Sequence, residues 1–280
     1  MITLLPLESY HKVINHFCDD KSIFSCALVN RHLCRFTIPI LWNKPGQHFK
    51  DERLIEIFLL MLNDEERTLL DPFKITIPNK PAPLFAYTAF INSVTGDLYV
   101  GVRSWLNERY GLKYELQDAI KHSLIRMFLR TGKNLKHLYL EGINCDQIMF
   151  KNTTVTSVDL SFSGEISHKF KYRAIDGFVT NLDKTSTLTS FNIISDHLEE
   201  GFKKLLKVLY ENTSLNSFGI YNNRLGNNDD KMLAKFLCRN TTLTSLDLCG
   251  RSLSKDIGPK VGKKLAKALC KNKTLKDLKI

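Results

Sequence analysis

The second half of the chain repeats a six-residue pattern of apolar and polar positions, apolar-x-x-apolar-x-apolar. Because alternate residues of a strand share a face, the fourth and sixth positions of each copy point to one side of a sheet. One such strand cannot bury its apolar face, but stacked copies share a continuous core. The pattern therefore predicts six stacked strands, whose starts are 20, 33, 27, 28 and 32 residues apart. The copies are Leu135–Leu140, Val155–Leu160, Leu188–Ile193, Leu215–Ile220, Leu243–Leu248 and Leu275–Ile280.

Amphipathic helices are predicted between the later strands. Residues 199–211 carry apolar side chains every three or four positions, from Phe202 to Leu209, and lysines on the opposite side. Residues 232–237 and 261–269 show the same spacing. This spacing is typical of helices that pack on one side only, so the strands are expected to be parallel, with helices outside them.

Four Asn-x-Thr/Ser triplets lie just before strand copies, beginning at Asn152, Asn212, Asn240 and Asn272. Taken alone, each is a glycosylation acceptor motif. Their position favours another role, because the chain must turn there from helix to strand. Asn tolerates the left-handed conformation, and its side chain can bond to nearby backbone groups. We therefore interpret these residues as turn residues.

The repeated segment resembles the ribonuclease-inhibitor-like leucine-rich repeats, in which Leu-x-x-Leu-x-Leu-x-x-Asn-x-Leu opens each unit. The match is fullest at residues 215–225, which include Asn223 and Leu225. Elsewhere the ninth position is Ser163, Asp196 or Arg251. The resemblance implies an irregular protein-binding solenoid.

The first 45 residues predict three short helices. Pro6 suits the first turn of one helix, the polar residues 19–22 separate it from a second, and Pro39 is expected to interrupt the chain before Trp42. Helices of this length bury too little surface for secure independent stability, which is typical of a segment that docks on a partner.

This segment resembles an F-box. The order of residues that carries the resemblance is Leu5-Pro6-Leu7-Glu8, then Ile14, then residues 26–31 and Leu41-Trp42, while Leu33 stands where family members usually carry Trp. The resemblance implies binding to a Skp-type adaptor and, through it, to a cullin of a ubiquitin ligase. Ile14 and Trp42 are equally open to a role in the bundle's own core. The residues that the F-box resemblance assigns to adaptor contacts or their support are Leu5, Pro6, Leu7, Ile14, Leu28, Val29 and Trp42.

Residues 46–133 predict a helical linker, with helical runs at 54–62, 84–91 and 98–106 and a proline-rich loop between the first two. The whole order is similar to the fungal families of F-box leucine-rich-repeat proteins. The expected fold class is α/β: an F-box-like three-helix bundle in 1–45, this linker, and a leucine-rich-repeat solenoid with parallel strands in 134–280.

The net charge of +11 is concentrated near the end of the chain. Residues 251–279 hold ten Lys or Arg against two Asp. These lysines fit the solvated outer face of the last helix. An acidic partner or a nucleic-acid backbone is the alternative, but no aromatic residues are interleaved for base stacking, so nucleic acid is not expected.

Motifs for catalysis, metals or cofactors are absent from the sequence. It has no phosphate-binding glycine loop, no H-E-x-x-H, no G-x-S-x-G and no C-x-x-C, and its eight His form no ligand spacing. The seven cysteines are expected to be structural thiols of a reducing compartment. No apolar run is long enough to cross a membrane, and the N-terminus lacks a basic signal-peptide region, so we expect a cytoplasmic or nuclear protein. No catalytic residue, metal or cofactor is predicted.

The sequence therefore predicts a non-catalytic subunit that recognises the substrate of a Skp–cullin–F-box ubiquitin ligase. The alternatives are a repeat scaffold without a ligase role, including one that binds an acidic partner, and a nucleic-acid-associated protein. The target protein is expected on the outward face of the strands. The candidate residues there are His137, Tyr139, Asp159, Asn192, Tyr221 and Asp247.

Overall fold

The fold is taken from a computed structural model of the chain. By contacts the chain divides into two compact units, Met1–Leu135 and Lys136–Ile280. The predicted boundary between residues 45 and 46 stays a prediction. The structure describes residues 7–14, 16, 19–75, 77, 81, 83–111, 113–143, 153–162, 166–182, 187–195, 199–221, 229–248 and 259–279.

The first unit begins with three short helices, α1 (Leu7–Ile14), α2 (Asp20–Ala27) and α3 (Arg31–Leu41). Asp19 and Asn30 cap the last two helices, because their side chains accept hydrogen bonds from backbone N–H groups of the first turn. The expectation that Pro39 interrupts the chain is wrong. Pro39 lies inside α3, which continues to Leu41, so the missing N–H of Pro39 costs the helix one backbone hydrogen bond close to its C-terminus.

The rest of the first unit consists of α4 (Glu52–Leu60), α5 (Asp64–Arg67), a short strand β1 (Ser93–Val94), α6 (Asp97–Arg109) and α7 (Tyr114–Thr131). One-turn 3₁₀ helices lie at Gly46–Lys50, Asp71–Phe73 and Tyr87–Ala89. The core is aromatic, and its fully buried members include Phe49, Phe58, Tyr99, Trp105 and Phe128.

In this region the structure differs from the sequence analysis in two ways. The predicted helix at 84–91 forms only the 3₁₀ turn at Tyr87–Ala89, and the sequence patterns did not indicate α7 at all. The aromatic side chains of residues 84–91 are placed by contacts with distant residues. For example, the ring of Tyr87 stacks on that of Trp42, with centroids 4.2 Å apart. A short aromatic run is therefore not diagnostic of a helix.

The second unit has a leucine-rich-repeat-like α/β fold. Its described part contains the strands β2 (His137–Glu141), β3 (Ser157–Ser161), β4 (Ser190–Ile194), β5 (Ser217–Tyr221), β6 (Ser245–Asp247) and β7 (Asp277–Lys279). They pair in chain order, all parallel. The six predicted strands and the α/β class are thereby confirmed.

Helices follow the strands, as expected for this fold. They are α8 (His168–Leu182), α9 (Glu199–Glu211), α10 (Asp229–Arg239) and α11 (Pro259–Lys271), and the first of them was not predicted. Side chains from these helices share a core with the inward strand positions. Phe178 of α8, for example, stacks on Phe191 of β4 at 4.2 Å between ring centroids.

The turn interpretation of the Asn residues is confirmed where the structure describes them. The side-chain oxygen of Asn240 accepts hydrogen bonds from the N–H groups of Thr242 (3.1 Å) and Leu243 (2.7 Å). Asn212 and Asn272 make equivalent bonds, and Asn152 lies outside the described residues. None of these three adopts the left-handed conformation, which among the described residues other than glycine occurs at Lys74. The asparagines therefore contribute to these turns through their side-chain bonds and not through a left-handed backbone.

Candidate protein-interaction surfaces

The outward positions of the parallel strands form rows across the sheet, because the strands pair in register. Tyr139, Asp159, Asn192, Gly219, Asp247 and Lys279 are successive partners in one such row. The alternating inward positions, such as Leu138 and Leu160, are buried. The six predicted target-binding residues thus come together on one face of one unit, while their role in binding stays a prediction.

Hydrogen bonds link these side chains from strand to strand. Asn192 donates to Asp159 (Nδ2–Oδ1 2.7 Å), and Asp159 also lies 3.5 Å from Nε2 of His137. Further along, the Tyr221 hydroxyl donates to Asp247 at 3.0 Å. Lys279 Nζ lies 4.0 Å from the same Asp247 oxygen. We call the row from Tyr139 to Lys279, together with His137 and Tyr221, the polar row.

Gly219 is the place in the polar row where there is no side chain. A Cβ atom built there would lie 2.3 Å from the Asn192 Oδ1 and 2.8 Å from a ring carbon of Tyr221. The glycine therefore makes room for the Tyr221 ring, which reaches across to Asp247 on the next strand. Sequence reasoning did not include Gly219 or Lys279 in this surface. A glycine inside a strand was the available signal, since it often marks a close approach of other atoms.

His137 also lies near a serine, Ser157, at 3.2 Å between Nδ1 and Oγ. A histidine between a serine and an aspartate has the residue types of a hydrolase triad. Here both distances are long for such a relay, and Asp159 already accepts from Asn192. The arrangement fits a row of surface hydrogen bonds better. Among the described residues, no group of three His, Cys, Asp or Glu could hold a metal ion.

The predicted adaptor-binding residues divide into buried and exposed ones. Ile14 is 2% exposed, and Trp42 is half-buried against Tyr87 and Phe58, so both support the helices of the first unit. Leu28 and Val29, between α2 and α3, are 72% and 67% exposed.

The remaining three predicted residues lie where less is described. Leu5 and Pro6 are outside the described residues, and for Leu7 only its place at the start of α1 is described.

Phe24 adds to the exposed apolar surface, since it lies one helical turn before Leu28 and is 54% exposed. It also lines an open groove of about 360 Å³, together with Leu41, Trp42 and other apolar side chains. We call Phe24, Leu28 and Val29 the apolar patch. Exposed apolar residues of this size next to one another are typical of interaction sites.

In the described residues, no helix is both long and apolar enough to cross a membrane.

The basic end of the chain is exposed, as Lys263, Lys267 and Lys271 lie on the solvent side of α11.

Comparisons with known proteins find similar structures but do not show a family for the chain. No protein-family model matches it, and no curated protein matches it. The C-terminal domain of tropomodulin from Caenorhabditis elegans is similar in structure at 13% identity and a TM-score of 0.39, over 49% of this chain and 79% of that chain. Leiomodin-1 actin-binding site 2 is similar at 18% identity and a TM-score of 0.31, over 53% and 74%. At these scores the likeness carries no argument about function.

Proposed function

We propose that the chain is a non-catalytic subunit that recognises the substrate of a Skp–cullin–F-box ubiquitin ligase. In this proposal the N-terminal helices bind a Skp-type adaptor, and the outward face of the strands binds the target protein. The observation that carries the proposal is the exposure of Leu28 and Val29, within a segment whose residue order resembles an F-box.

Exposed apolar side chains of this size favour burial against a partner. Burying a Leu or Val side chain fully contributes about 1.5–3 kcal/mol, so Leu28 and Val29 together supply several kcal/mol to an interface. Ile14 and Trp42 contribute indirectly, because their packing holds the helices that present the apolar patch. This division gives two different roles to the four residues of the resemblance whose side chains are described, Ile14, Leu28, Val29 and Trp42.

The polar row suits the recognition of a protein target. Its side chains are half-buried except for the exposed Lys279, and they offer both donors and acceptors, which set orientation and specificity. Joining two binding surfaces in one chain raises the concentration of a bound target near the ligase, so the protein needs no catalytic residue of its own.

The proposal is tested by titrating the purified chain with a purified Skp-type adaptor in a calorimeter. A Leu28→Asp/Val29→Asp variant is expected to weaken binding by more than about thirtyfold, since the apolar burial that is lost exceeds the roughly 2 kcal/mol to which a thirtyfold change corresponds. The matched control is Leu84→Asp, because Leu84 is 91% exposed and lies outside the F-box-like segment. Both variants are expected to keep the melting temperature of the parent chain.

Two results would remove the basis of the ligase role. One is an intact chain that does not bind the adaptor, and the other is a Leu28→Asp/Val29→Asp variant that binds as well as the parent. A Leu5→Ala/Pro6→Ala variant extends the test to the start of the segment.

The second candidate function is a repeat scaffold without a ligase role that binds an acidic partner. The exposed lysines of α11 favour it. It is distinguished by a chain that does not bind the adaptor but still binds an acidic protein, with an affinity that falls as the salt concentration rises.

A further inference from the structure

The helical side of the second unit carries a groove between α9 and α10. It is open, has a volume of about 340 Å³ and is formed by described residues of both helices. Its floor is apolar, with Leu206 from α9 and Met232 and Phe236 from α10. We call it the α9–α10 groove.

Cations dominate the edges of this groove. Lys207, Lys235 and Arg239 are exposed and line it, whereas Glu211 is the only acidic residue among the described residues of the lining. In the described part of the chain, no carboxylate lies within ion-pair distance of any of the three cations. All three side chains are exposed, so a partner can reach them.

The positive charge continues beyond the groove. The sequence of α11, which packs beside α10, contains five lysines and no acidic residue. The outward face of the strands has the opposite character, since Glu141, Asp159, Asp247 and Asp277 lie there against Lys279. The helical side therefore favours acidic partners, and the outward face of the strands favours basic partners.

Tyr210 gives the groove a third kind of contact. It is 46% exposed at the edge of the groove, where its ring can cover an apolar side chain and its hydroxyl can bond to a carboxylate. A cationic edge over an apolar floor is complementary to a segment that combines acidic and apolar residues.

We infer that the α9–α10 groove binds an acidic segment of a partner protein. An apolar side chain of that segment lies on the floor formed by Leu206, Met232 and Phe236, and its carboxylates pair with Lys207, Lys235 and Arg239. A single-stranded nucleic acid fits less well, because it needs a series of stacking platforms and the lining supplies one exposed aromatic ring. The inference does not depend on adaptor binding, since it concerns the other unit.

The test uses the full chain and a fluorescein-labelled peptide of Glu residues with Leu at every third or fourth position, followed by fluorescence anisotropy. A Lys235→Glu/Arg239→Glu variant is expected to weaken binding by about tenfold or more. The matched control is Lys263→Glu/Lys267→Glu, which makes the same charge change on α11. It is expected to weaken binding by less than about threefold, because those lysines act only over a distance.

The floor is tested separately with a peptide in which Ser replaces every Leu. This peptide is expected to bind about tenfold more weakly than the Leu peptide at equal charge. The inference is overturned by an intact chain that does not bind the Leu peptide, by equal losses in the two charge variants, or by equal binding of the two peptides. A labelled single-stranded RNA that binds more tightly than the Leu peptide and displaces it from the chain also overturns it.

Discussion

Replacing Asn240 by Ala tests whether the turns between helix and strand depend on asparagine side chains. The change removes the oxygen that accepts from the backbone N–H groups of Thr242 at 3.1 Å and Leu243 at 2.7 Å. Leu243 is 1% exposed, so its N–H group loses its partner in a place that water does not reach. The amide nitrogen of Asn240 also donates weakly to the carbonyl of Leu209, at 3.5 Å, and this contact is lost as well.

The expected cost follows from these contacts. A buried N–H group without a partner costs about 1–3 kcal/mol, and a half-exposed one, such as that of Thr242, about 0.5–1 kcal/mol because water replaces the bond. We therefore expect Asn240→Ala to lower the free energy of unfolding by about 2–3 kcal/mol.

Urea unfolding followed by far-ultraviolet circular dichroism measures this difference. The matched control is Asn216→Ala, since Asn216 is exposed and follows the next turn upstream. The control is expected to change the free energy of unfolding by no more than about 0.5 kcal/mol. If the two variants lose the same small amount, the asparagine bonds are not what stabilises these turns, and the reasoning from their geometry is refuted.

The remaining predictions concern the first unit. Gly101→Ala, which in most helices gains stability, is expected here to cost about 3 kcal/mol in urea unfolding, because the new Cβ would lie 2.1 Å from the backbone oxygen of Phe49. A gain in stability would contradict this contact. Glu66→Ala is expected to cost about 2 kcal/mol, since Glu66 is 3% exposed and pairs with Arg130 at 2.7 Å, and a melting temperature equal to the parent's would refute it. The backbone and side-chain hydrogen bonds at the start of α2 hold the pKa of Asp19 below its ordinary value of 3.8, so its stabilisation is complete above that pH and is lost in acid. The stability difference between the parent and Asp19→Ala, measured against pH, should shrink as the pH falls below 3.8.

The helix α7 has an apolar spacing that the sequence analysis did not use, since Leu116, Ile120, Leu124 and Phe128 recur every four residues. Its buried side also holds the polar residues Gln117, Lys121 and Ser123, which no apolar spacing predicts. The ammonium of Lys121 lies 3.6 Å from Asp118 on the same helix and over the ring of Tyr99, a partner that only the fold supplies. Polar burial of this kind depends on distant parts of the chain.

The candidate surfaces show the same division. The alternation of apolar and polar positions was enough to place His137, Asp159 and Asn192 on the outward face of strands. It did not show that the hydroxyl of Tyr221 reaches Asp247, because that hydrogen bond depends on the pairing of neighbouring strands.

The sequence by itself determined the six strands and the asparagine turns, because both depend on residues a few positions apart. The period of a strand sets which side chains share a face, and Asn240 bonds to groups two and three residues away. Only the tertiary structure decided which outward side chains meet and which apolar residues stay exposed. Tyr221 reaches Asp247 across 26 residues of sequence, and Ile14 is buried while Leu28 is exposed, because packing between distant segments sets both outcomes.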